Sequence, residues 1–76
     1  MKMPPNPFTT TARADGRAAY QPGQRAVAAV TRAIRAIEAL DGRAMTIRER
    51  SRYTVWFRIG WMSARMAWRQ QQRRAV

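Results

Sequence analysis

The stretch TIRERSRYTVWFRIGWMSARMAWRQQQ, residues 46–72, decides the fold. Its opening, Thr46-Ile47-Arg48-Glu49, has the form of a capping box: the threonine hydroxyl accepts from the amide three residues on, and the glutamate reaches back. No proline interrupts residues 50–72, and apolar side chains recur there at three- and four-residue spacing. The pattern predicts one long helix over about 47–72, with 73–76 as a frayed basic tail.

At about 100° per residue this segment has two apolar faces rather than one. Tyr53, Trp56, Phe57, Gly60, Trp61, Ala64, Ala67 and Trp68 share an arc of roughly 140°. Val55, Ile59, Met62 and Met66 share a second arc of roughly 60°, almost opposite. Arg58, Arg65 and Arg69 form a stripe between the two, and Arg52 and Ser63 fill the other gap.

Upstream, Arg43–Ala44–Met45 is a short connection, which makes the elements on either side antiparallel neighbours. The segment before it predicts a helix from Pro22 to Leu40. Val27, Val30, Ile34 and Ile37 recur along one stripe, with Ala26, Ala33 and Leu40 beside them and Arg25, Arg32 and Arg35 across from it. Proline is tolerated in a first helical turn, and Asp41–Gly42 supplies the left-handed residue that closes a helix. Residues 1–20 show no such periodicity. Pro4, Pro5, Pro7, the Thr9–Thr10–Thr11 run and the Asp15–Gly16 turn signal predict an extended or disordered arm, basic at Lys2, Arg13 and Arg17. The expected architecture is all-α: an antiparallel helical hairpin over 21–72 behind an N-terminal arm.

One helix cannot cover both faces of its partner. The aliphatic arc is expected to be core, packed on Val27, Ile34 and Ile37. The aromatic interface of Tyr53, Trp56, Phe57, Trp61 and Trp68 then stays available to a partner. Gly60, Ala64 and Ala67 leave grooves between the rings that suit a closely packed helix, so a homodimer with a four-helix arrangement is expected.

Composition narrows the function. The chain has 76 residues and a formal net charge of +11, with no Cys and no His. Disulfides, Cys/His zinc sites and imidazole or thiolate mechanisms are excluded. The only acids are Asp15, Glu38, Asp41 and Glu49, too few to furnish a paired-carboxylate cleft in so small a helical fold. A non-enzymatic protein is expected, with no cofactor, metal or small-molecule substrate. All the basic residues except Lys2 are arginine, whose planar guanidinium grips phosphate bidentately and stacks on bases. Met1–Thr10 has no apolar leader, and the apolar region Tyr53–Trp68 is short and carries Arg58 and Arg65, so a cytoplasmic protein is expected.

Two elements carry a family resemblance. Phe57-Arg58-Ile59-Gly60-Trp61-Met62-Ser63-Ala64 resembles the aromatic-x-x-Gly-Trp-x-x-Ala run of ribosome modulation factors and related small phage proteins. Gly16-Arg17-Ala18-Ala19-Tyr20-Gln21-Pro22-Gly23 is similar to the element that opens that family. The resemblance implies a small, basic, two-helix protein that binds the small ribosomal subunit and promotes an inactive ribosome dimer. Gln24–Trp56, between the two elements, is far longer than in that family.

Three functions fit these features. The first is RNA binding, ribosome-associated and inhibitory, in which Arg48, Arg52, Arg58, Arg65, Arg69, Arg73 and Arg74 neutralise phosphates and the tryptophans stack on bases. The second is a small phage-type inhibitor or adaptor, of the anti-CRISPR or host-takeover class, that inserts the aromatic face into an acidic host protein surface. The third is a peripheral membrane binder, since arginine with interfacial tryptophan suits anionic lipid. Readout of duplex DNA fits least, because the long helix is too aromatic to lie in a groove.

Overall fold

A computed structural model describes residues 7–74 of the chain, as three helices: α1, Pro7–Ala19; α2, Ala26–Asp41; and α3, Ile47–Arg74. They form a thin slab measuring 46 × 34 × 17 Å. The fold is all-α, but it is not a two-helix hairpin. The arm expected over 1–20 is replaced by a 13-residue helix from Pro7, and Lys2, Pro4 and Pro5 lie outside the described residues. Pro7 takes the first helical position, where its missing N–H costs nothing. Asp15–Gly16 is not a turn but the interior of α1.

What holds α1 in place is close approach to α3. A Cβ added at Gly16 would collide with the backbone of α3 at the Phe57 carbonyl, and one added at Gly60 would collide with the Arg13 carbonyl of α1. Each glycine thus admits the other helix's backbone. Among the described side chains, those of α1 buried toward α3 are small: Ala12 is fully buried and Gly16 is buried one turn later. Large apolar residues are the usual sign of a packed helix, and among the described side chains of α1 the buried ones are small.

The aromatic face of α3 fills the centre. Tyr53 and Phe57 are almost wholly buried, and Trp61 joins them with Ala29, Val30 and Ile34 of α2. The core therefore sits on the arc opposite to the expected one. Val55, Ile59, Met62 and Met66 are all exposed. The physical reason is supply: α1 is a second packing partner for α3, and the wider arc, with Gly60 in it, accepts two helices. The groove expected to receive a second copy of the chain receives α1 of the same chain, which leaves the four-helix dimer without support.

Local signals at the ends of α2 and α3 divide. Gly42 follows α2 with φ 70°, donating its N–H to the Glu38 carbonyl at 2.9 Å, as the left-handed closing residue should. Thr46 and Glu49 form the capping box: Glu49 N–H donates to Thr46 Oγ1 at 3.1 Å, and Thr46 N–H to Glu49 Oε1 at 3.0 Å. Glu38 Oε2 accepts from Met45 N–H at 2.8 Å and Arg50 Nη2 at 3.3 Å, fixing the connection to α3. The start of α2 is corrected from Pro22 to Ala26. Pro22 and Gly23 instead occupy the middle of a turn, Gly23 at φ 84°, closed by Gln24 N–H donating to Gln21 C=O at 3.2 Å. On α2 the expected stripe is only partly core, because Val27 and Leu40 are exposed. Arg73 and Arg74, expected to fray, are helical.

Candidate nucleic-acid interface

Three of the four acids are engaged within the fold. Asp15 Oδ2 accepts from the Tyr53 hydroxyl at 2.8 Å. Glu49 takes a two-pronged contact from Arg43 at 3.1 and 3.0 Å, and Glu38 pairs with Arg50. The Arg43 guanidinium and the amide and hydroxyl of Thr46 hold the Glu49 carboxyl down at about 2, and the same contact raises the Arg43 pKa. Among the described residues, the arginines other than Arg43 and Arg50 make no ion pair.

Six of the seven arginines singled out from the sequence share the outer side of α3. Arg48, Arg52, Arg58, Arg65, Arg69 and Arg73 fall within an arc of roughly 140° at 100° per residue, opposite Tyr53 and Phe57. Arg74 lies outside that arc. Arg65 is half-buried, its guanidinium 5.9 Å from the centre of the Trp61 ring, while the others are exposed. From Met66 onward every described residue of α3 is exposed, so its last two turns stand clear of α1 and α2.

The expected aromatic interface is not one surface. Tyr53, Phe57 and Trp61 belong to the core, and Trp56 is half-buried against it. Only Trp68 is exposed, at 37 %. Trp61 meets Tyr20 edge to face, with ring centres 5.1 Å apart. These rings are spent on packing, and stacking of bases on a row of tryptophans is not available to this fold. On α3, Val55, Ile59, Met62 and Met66 form an exposed apolar stripe instead, running between the arginines.

The structure adds Arg25 to the basic group. The turn at Pro22–Gly23 carries Arg25 to α3, where it lines a cleft of about 500 Å³ together with Arg58 and Arg65. Sequence offered no signal for this, since the juxtaposition depends on where the turn sets down the start of α2. Among the described residues no group of three or more acids could hold a metal ion, and no helix is long and apolar enough to cross a membrane. The two elements that carry the family resemblance pack on each other, through Gly16 with Phe57 and Tyr20 with Trp61. Compared with protein-family models, curated proteins and solved structures, the chain matches none of them.

Proposed function

We propose that the protein is a non-catalytic RNA-binding protein that grips the phosphate backbone along the outer side of α3. The supporting observation is the distribution of charge: three of the acids are engaged within the fold, and six arginines line one side of a single helix without a carboxylate partner among the described residues. Such a row repels itself unless an external polyanion supplies the counter-charge. Arginine suits phosphate in particular, because its fork contacts two oxygens at once. Over the roughly 37 Å between Arg48 and Arg73, at 1.5 Å per residue, the row can follow several successive phosphates. The resemblance to ribosome modulation factors makes ribosomal RNA the natural first ligand. The test is purification from the host at low salt, with and without ribonuclease. Recovery of RNA that disappears on nuclease treatment supports the reading, and a chain that comes through free of RNA contradicts it.

A second reading rests on the exposed Val55–Ile59–Met62–Met66 stripe. An apolar strip edged by arginine also fits an acidic protein groove, where methionine adapts to irregular surfaces. A protein complex that survives nuclease treatment and is lost on Met62→Ser/Met66→Ser substitution favours it.

A further inference from the structure

Between the α1–α2 turn and α3 lies the cleft of about 500 Å³ whose walls include Tyr20, Gly23, Arg25, Arg58, Trp61 and Arg65, with no acidic side chain among them. The start of α2 opens into it, since Ala26 and Val27 also line the cleft. No side chain caps this helix, its first turn contains no acid, and the capping position is held by Arg25. The first amides of a helix lack intrahelical acceptors and form the positive end of its dipole. A cation there is the opposite of what helix electrostatics favour. Arg58 and Arg65 add two further positive charges from α3.

A second observation is independent of the helix end. Trp61, in the wall of the same cleft, is only 6 % exposed, and its Nε1–H has no hydrogen-bond partner among the described residues. Buried indole N–H groups ordinarily find an acceptor. The guanidinium groups and the uncapped helix amides are donors at a cleft with no acidic side chain in its walls, and the Trp61 indole N–H is enclosed in the protein without a partner among the described residues.

Resting on the RNA reading above, the geometry points to this cleft as the seat of a phosphate group, with the α2 amides and the guanidinium groups of Arg25, Arg58 and Arg65 donating to its oxygens. A phosphate of an RNA strand lying along α3 and free inorganic phosphate present the same oxygens, and the two are separated by experiment.

The test is to follow the backbone amides and tryptophan indole N–H signals of the full chain by NMR while inorganic phosphate, or separately a short oligouridine, is added. Saturable shifts at Ala26, Val27 and the Trp61 indole are expected with both. Arg25→Gln/Arg58→Gln should weaken the phosphate response by about tenfold or more. Arg73→Gln/Arg74→Gln removes the same charge about two turns beyond Arg65; it should weaken RNA binding and leave the phosphate response in place. RNA binding that leaves the cleft signals unmoved overturns the assignment while RNA binding itself stands. Phosphate shifts without RNA binding overturn RNA as the source of the phosphate. The same shifts from polyglutamate, with none from RNA, overturn it in favour of an acidic protein. Silence toward both phosphate and RNA removes the cleft and the RNA reading together.

Discussion

The Tyr53 hydroxyl donates to Asp15 Oδ2 at 2.8 Å, joining two residues 38 positions apart and tying α1 to α3. The bond gives a buried phenol its partner, and it places one of only four acids where it serves the fold. Burial, then the hydrogen bond and charge of Asp15, push the Tyr53 hydroxyl above its ordinary value of 10.

Tyr53→Phe should therefore cost about 1–2 kcal/mol in urea denaturation near neutral pH, because it removes the bond and leaves Asp15 without its phenol donor. The parent chain has a further signature. A group whose folded pKa is raised contributes stability that is complete below the unfolded value and is lost as pH rises beyond it. The parent should lose stability progressively above pH 10, and the phenylalanine variant should lose less. Matching alkaline profiles would detach Tyr53 from Asp15.

Gly16→Ala and Gly60→Ala each put a methyl group into the backbone of the facing helix. Neither clash can be relieved by a side-chain rotation, so each should cost about 3 kcal/mol or more, near the upper end for overpacking. Alanine would favour an isolated helix by about 1 kcal/mol, so the sign of the change is itself diagnostic. Thermal melts that rise with either substitution would mean that α1 does not pack on α3.

Much of this fold is legible in residues 43–72, and little of it in 1–20. The capping box at Thr46–Glu49 and the closing Gly42 are local devices, readable because a few neighbouring residues determine them. α1 escapes a sequence reading because the buried residues among its described side chains, Ala12 and Gly16, are too small to stand out as an apolar stripe, and glycine in isolation favours a turn. Without α1 the choice of core reverses: with only one helix to cover α3, the narrow aliphatic arc looks sufficient. The arginine row of α3 is readable from spacing alone. Arg25 is not, because Pro22–Gly23 reads as the opening of a helix rather than as the turn that brings it to Arg58 and Arg65.

The reversed core has its own test. Ile59→Ser/Met66→Ser removes apolar groups from exposed positions and should change stability by no more than about 0.5 kcal/mol per site. Phe57→Ala empties a fully buried position and should cost about 3–5 kcal/mol, enough to unfold so small a domain. Comparable losses from the two variants would restore the aliphatic arc as core.

Acid should loosen the start of α3. The Glu49 pKa is lowered to about 2 from an ordinary 4.5 by Arg43 and Thr46. A depressed carboxylate contributes stability above its unfolded value that is lost as pH falls toward the folded one. The melting temperature of the parent should thus exceed that of Glu49→Gln above pH 4.5, and the gap should close between 4.5 and about 2. A gap independent of pH would show that the carboxylate is not what Arg43 and Thr46 hold.

The affinity of the full chain for a ribosomal RNA fragment, measured from about 50 to about 200 mM salt, bears most directly on what the arginines are for. Each phosphate neutralised releases counterions, so engaging the α3 row should weaken binding about a thousandfold over that range. A dissociation constant that hardly moves with salt, or no measurable binding at the lower concentration, would mean that the row on α3 serves some other partner.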